Sequence, residues 1–150
     1  MQLRVSIARQ ELEVRDGPEV LRRYPVSTSR FGPGCEENSF KTPLGRFRIA
    51  EKHGHDAPPY TIFRGRRPEG TWAPGEGDDA DLVLTRILWL EGLEPANSNT
   101  YDRYIYIHGT NHEEHIGTPA SQGCIRMRTN DLLELFDIVP EGTAVTICEV

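Results

Sequence analysis

Residues Tyr104 to Met127 read YIYIHGTNHEEHIGTPASQGCIRM. The opening Tyr104-Ile105-Tyr106-Ile107-His108 is β-branched and aromatic throughout, the composition of a buried strand that ends on a histidine. A loop of small and polar residues follows. The chain then returns as Ser121-Gln122-Gly123-Cys124-Ile125-Arg126-Met127, sixteen residues separating His108 from Cys124. That spacing suffices for a loop that brings both side chains to one place.

Working outward, strand patterns dominate. Leu3 to Ile7 and Glu11 to Arg15 alternate apolar and polar about a short connection and predict a hairpin. Glu19 to Ser27 alternates around Val20, Arg22, Tyr24 and Val26. Phe47 to Ala50 follows the turn Thr42-Pro43-Leu44-Gly45. Leu82 to Leu90 is nearly continuously apolar, as in a strand buried on both faces. Thr143 to Ile147 follows the turn Pro140-Glu141-Gly142. One helix stands out, with Thr129 as its expected cap and Asp131 where the helix dipole favours an anion. Leu132, Leu133, Leu135, Phe136 and Val139 then recur at helical spacing, and Glu134 and Asp137 take the wet side. Thr28 to Lys41 and Gly65 to Asp81 are long polar loops, a length usually associated with function or disorder. The expectation is one domain over residues 1–150, mainly β, with a late helix and two long loops.

Bulk properties narrow the function. With 37% hydrophobic and 27% charged residues the composition is that of a globular domain. A formal net charge of −6 argues against nucleic acid and against anionic membranes as partners. The N-terminus enters a strand pattern at once, with no basic and apolar leader, and no run approaches a membrane span. The expected location is therefore the cytoplasm, or the periplasm if the sequence is trimmed. Three cysteines, Cys35, Cys124 and Cys148, are an odd number and suit a reducing compartment.

The pairing of His108 with Cys124 has a chemical meaning. A thiol is mostly protonated at neutral pH, and an adjacent imidazole can take its proton. The imidazole in turn needs a partner on its other nitrogen, for which the Gly109 backbone carbonyl is the natural candidate. Gly123 lets backbone N–H groups turn toward a developing oxyanion. Arg126 can meet a carboxylate in bidentate fashion. The same residue types also fit a buried cysteine that packs as a small hydrophobe and a histidine that only holds structure. His108, His112 and His115, with Glu113 and Glu114, raise the question of a metal. The spacing is not the H-E-x-x-H helix face, and Asn111 to Ile116 reads as loop, so these histidines, like His53 and His55, are expected to be solvated loop residues. No metal and no cofactor is expected.

The stretch Ile107-His108-Gly109-Thr110, the pair Ile116-Gly117, and Ser121-Gln122-Gly123-Cys124-Ile125-Arg126-Met127 together resemble the signature of the YkuD-type L,D-transpeptidases. The Thr42-Pro43-Leu44-Gly45-Arg46-Phe47 turn and the closing Pro140 to Ile147 are similar to that family as well. The family's usual histidine before the glycine is Gln122 here. The resemblance implies a YkuD-like β-sandwich. It also implies that Cys124 is the nucleophile, His108 the base, Gly109 the orienting carbonyl and Gly123 part of the oxyanion hole, with Arg126, Ser121, Thr110 and Gln122 contacting substrate. Its substrates would be peptidoglycan stem peptides or soluble muropeptides, cleaved at the bond between the diamino acid and D-Ala, and carbapenems would acylate the thiol. Taken with the expected location, it points to an L,D-carboxypeptidase of murein recycling. The alternatives are a transpeptidase forming 3–3 cross-links or exchanging the terminal D-amino acid, and a non-catalytic peptidoglycan-binding module.

Overall fold

The computed structural model describes residues 1–76 and 80–150. Ten strands run β1 (Gln2–Ser6), β2 (Glu11–Asp16), β3 (Glu19–Ser27), β4 (Gly45–His53), β5 (Thr61–Arg64), β6 (Arg67–Thr71), β7 (Val83–Gly92), β8 (Tyr106–Gly109), β9 (Ile125–Met127) and β10 (Ala144–Cys148), with helix α1 (Thr129–Ile138) between the last two. All belong to one hydrogen-bonded sheet in the order β4-β10-β1-β2-β3-β9-β8-β7-β5-β6, and a further pairing of β4 with β7 closes eight of them into a circuit. The two layers expected of a sandwich are thus parts of one continuous sheet folded on itself, with β5 and β6 hanging from β7 as a hairpin.

The alternation seen in the sequence is what fills the interior. Leu3 and Val5 of β1, Leu12 and Val14 of β2, Phe47 and Ile49 of β4, Leu88 and Leu90 of β7, and Val145 and Ile147 of β10 are almost wholly buried in one core. Helix α1 adds Leu132, Leu135 and Phe136 to it, and Val139 follows just past the helix end. Burying side chains of this size contributes about 1.5–3 kcal/mol each relative to exposure.

Several expectations are corrected. Thr129 is the first residue of α1 and not its cap: its own N–H is satisfied by the Glu113 carboxylate at 2.9 Å, and its hydroxyl pairs with that of Thr85 at 2.8 Å. A distant carboxylate has replaced the local cap, which sequence spacing cannot reveal. The expected loop Gly65 to Asp81 contains β6, whose five residues are all exposed, so no apolar period marks it. Residues 77–79 of that loop lie outside the described residues. His53 ends strand β4 opposite Ile87 rather than lying in a loop. The loop Thr28 to Lys41 is tied down by bridges Ser29–Ser121 and Pro33–Thr42.

Strands β8 and β9 run parallel, with Ile107 opposite Ile125 and His108 opposite Arg126. Ile107 and Ile125 point into the core. Successive side chains of a strand alternate faces, so Tyr106 and His108 share the opposite face with Cys124 and Arg126. Beside them β7 carries a bulge between Leu84 and Ile87, where Thr85 takes φ 77°, a conformation rare for a β-branched residue. The bulge presses the Leu84 carbonyl so close to Gly109 that a Cβ there would stand 2.6 Å from its oxygen. Only glycine fits at the end of the histidine strand.

Candidate active site

Cys124 stands at the entry to β9, half-buried, on the same face as His108 and displaced one step along the neighbouring strand. Its sulfur accepts the Tyr106 N–H at 3.3 Å, and its S–H points to the Tyr104 carbonyl at 3.4 Å. His108 is 3% exposed, and its Nδ1–H donates to the Gly109 carbonyl at 2.5 Å. This bond fixes the tautomer: with Nδ1 carrying the proton, Nε2 is left as the basic nitrogen.

Burial dominates the electrostatics of both groups. It pushes the Cys124 thiol up to about 11, against smaller downward pulls from the Tyr106 amide and the Arg126 and Arg103 charges. Burial likewise holds the His108 imidazole below its ordinary range, with the Asp81 charge and the Gly109 carbonyl pulling the other way. Burial thus favours the thiol and the imidazole in their neutral forms on one face of the sheet. The arrangement can accept a proton from sulfur at the moment of attack, which is general-base chemistry.

The turn before the cysteine is braced from within. The Ser121 hydroxyl donates to the Cys124 carbonyl at 2.6 Å, the Gly123 N–H donates to Ser121 Oγ at 3.3 Å, and the Thr42 hydroxyl donates to the Gly123 carbonyl at 3.0 Å. Gly123 has φ 119°, which an L side chain would strain. Its N–H is thus engaged in the turn, whereas the expectation had it turned toward an oxyanion. Ser121 and Thr110 are essentially buried, the Thr110 hydroxyl accepting the His112 N–H at 3.0 Å. Both shape loops, and neither lines a cavity described here.

Two cavities meet at Gln122. The larger, about 720 Å³, is lined by Arg30, Asp81, His112, His115, Gln122 and Arg126 among others. The smaller, about 300 Å³, includes Phe40, Arg103, Tyr104 and Gln122 in its walls. Cys124 follows Gln122 by two residues, and its sulfur meets the carbonyl of Tyr104, a wall residue of the smaller cavity. Arg126 is 4% exposed and pairs with Asp81 at 2.8 Å, while its Nε has no partner among the described residues. Asp81, Arg30 and Arg103 were not singled out from sequence, since charges in polar loops carry no local pattern.

An aromatic group flanks the cysteine on the other side. Trp89 stacks on Tyr101 at 3.9 Å and meets Tyr106 edge-on at 5.6 Å. The Arg66 guanidinium, at the tip of the β5–β6 hairpin, lies 4.5 Å from the Trp89 ring centre and donates to the Tyr106 hydroxyl at 3.1 Å. Cys124 packs against this cluster. The hairpin tip thereby reaches the aromatic cluster against which the cysteine packs.

The comparisons with known proteins agree with this fold. The family model described as the L,D-transpeptidase catalytic domain, YkuD, matches residues 2–147. A Bacillus subtilis relative named for this family, L,D-transpeptidase YkuD, is 30% identical over 143 residues, which are 95% of this chain and 63% of that protein. An L,D-transpeptidase from Mycobacterium smegmatis superposes with a TM-score of 0.63 at 17% identity, covering 98% of this chain and 58% of that one. L,D-transpeptidase 3 from Mycobacterium tuberculosis, in complex with a faropenem-derived adduct, superposes with a TM-score of 0.59 at 17% identity, covering 98% and 59%. The chain thus spans less than two thirds of the length of each of these proteins. At such identities the solved structures speak for the fold.

Proposed function

This chain belongs to the YkuD family of L,D-transpeptidase catalytic domains, and on that premise we propose that it transfers acyl groups of peptidoglycan stem peptides through a thioester on Cys124. The observation that carries the reading is His108, held by its Nδ1–H to the Gly109 carbonyl, on the same sheet face as the cysteine. The sulfur attacks the carbonyl that joins the diamino acid to the terminal D-Ala. Nε2 of His108 takes the thiol proton and returns it to the leaving amine as the C–N bond breaks. D-Ala departs and the thioester remains. The Cys124 N–H serves the oxyanion in place of the engaged Gly123 amide. Arg126 offers its guanidinium to a carboxylate of the stem, in exchange for part of its contact with Asp81.

The acceptor decides the name. We favour water, making the chain an L,D-carboxypeptidase acting on soluble muropeptides. The cavity on the far side of Gln122, at about 300 Å³, is less than half the size of the first and takes a single amino acid more readily than a second stem. One observation favours the transpeptidase reading: two cavities share Gln122, two residues before the cysteine, as donor and acceptor sites would. Incubation with a disaccharide-tetrapeptide, followed by mass spectrometry, separates them. The expected products are D-Ala and the tripeptide, with few dimers even when a second stem is abundant. Predominant 3–3 dimers would establish transfer to an amine and leave the roles of Cys124 and His108 as they stand.

The role of Arg126 has its own test. Arg126→Ala is expected to lower kcat/KM for the tetrapeptide by about 10- to 100-fold, the worth of one charge-assisted carboxylate contact. Iodoacetamide labelling of Cys124 should fall far less than turnover, because the alkylating agent carries no carboxylate for the guanidinium to hold and the Arg126 charge is only a minor pull on the thiol. Joint collapse of labelling and turnover would mean that Arg126 maintains the site through Asp81 and does not hold substrate.

A further inference from the structure

On the wall of the larger cavity the short 3₁₀ turn Glu113–His115 brings three potential ligands together. The nitrogens of His112 and His115 and a carboxylate oxygen of Glu114 all lie within 4.8 Å of one another. The sequence reading set these histidines aside as solvated loop residues and grouped them with His108. The structure separates His108, buried in the sheet, from the other two, and adds Glu114. Glu113 faces away and caps α1.

We propose that His112, Glu114 and His115 form a binding site for a divalent transition cation of the zinc class. Two independent observations point to it. The first is distance. Glu114 Oε1 stands 3.4 Å from His112 Nδ1 and 3.6 Å from His115 Nε2. Both exceed the usual hydrogen-bond range of about 2.7–3.2 Å. They match the edge of a tetrahedron around zinc, about 3.3 Å for bonds of about 2.0–2.1 Å. The second is the hydrogen bonding of His112. Its other nitrogen, Nε2, lies 3.1 Å from the Ala80 carbonyl, which also accepts the Asn111 side-chain amide at 2.9 Å. A carbonyl only accepts, so Nε2 carries a proton, and Nδ1 is the nitrogen that faces the Glu114 carboxylate. A ligating histidine characteristically donates its second N–H to a backbone carbonyl, and this one does.

Two imidazoles and one carboxylate suit zinc and its neighbours rather than calcium or magnesium. Three protein ligands leave a fourth position for water or for a carboxylate oxygen. His112 and His115 share the cavity wall with Arg30 and Arg126, so a bound cation adds positive charge to the space where an anionic stem would lie.

The test is titration of the full chain with Zn²⁺ against a chromophoric chelator, and with Co²⁺ by absorption. One ion per chain is expected, with a cobalt spectrum of nitrogen and oxygen ligation and no thiolate charge-transfer band. His112→Ala and His115→Ala should each weaken binding by at least about tenfold, the lower end of what disturbing a metal's ligand shell costs. His53→Ala, whose ring pairs with Glu51 elsewhere, should bind as the parent does. Unchanged affinity in the two site variants, a thiolate band, or no binding at all would overturn the proposal, and none of these readouts depends on turnover.

Discussion

Cys124→Ala is expected to lose turnover by on the order of 10⁴-fold or more, as removal of a nucleophile does in enzymes whose catalytic groups act as a unit. The fold should survive. The side chain is half-buried, loses one sulfur, and its two polar contacts are weak ones to backbone atoms at 3.3 and 3.4 Å. The brace on the turn runs through the Cys124 carbonyl and the Gly123 backbone, which the substitution leaves in place. Circular dichroism and the melting temperature should therefore match the parent while D-Ala release disappears. A carbapenem adduct seen by mass spectrometry in the parent should be absent from the variant. Retention of turnover would remove the mechanism. A parent chain that releases no D-Ala and takes up no carbapenem would instead favour the non-catalytic wall-binding reading. Neither Cys35 nor Cys148 is expected to substitute: their sulfurs lie against the Leu44 and Val5 carbonyls.

How far the sequence went can be judged residue by residue. The interior was legible because burial and the period of two coincide: Leu3, Val5, Leu12 and Val14 alternate in the chain and are buried in the structure. The face that carries His108 was legible in the same way. In Tyr104 to His108 the isoleucines occupy one parity and Tyr106 and His108 the other, so the strand pattern already assigns the histidine to the face away from the core. The β5–β6 hairpin was not legible, because β6 is exposed along its length and contains proline and glycine. The cap of α1 was misread since its carboxylate comes from Glu113, sixteen residues upstream. The ion pair of Arg126 with Asp81 and the meeting of His112 with Glu114 and His115 depend on how loops fold back, and loops carry no period. Local pattern fixed the strands and the pair that they carry. The walls around the pair were decided by long-range contacts.

His108→Ala should separate base catalysis from thiol acidity through pH. The thiol, pushed up to about 11 by burial, is overwhelmingly protonated at neutral pH. On the proposed mechanism this does not matter in the parent, because neutral His108 takes the proton during attack. Its imidazole is held below the ordinary histidine range by burial, so it stays unprotonated, and competent, to a lower pH than a free histidine would. The acid limb of kcat/KM is therefore expected below the usual value of about 6.5. With His108 removed, turnover at pH 7 should fall by about 10²–10⁴-fold, the usual contribution of general acid–base catalysis. The residual reaction then depends on free thiolate. Raising pH favours the deprotonated form, so iodoacetamide labelling of the variant should climb about tenfold per pH unit and level off only near 11. The alternative, an ion pair already formed at rest, makes the opposite forecast: parent labelling would be flat through neutral pH, and the variant would lose a thiolate that the imidazolium had stabilised. A flat parent profile would show that the two groups share a charge-separated state despite their burial, and the general-base role assigned to His108 would have to be given up.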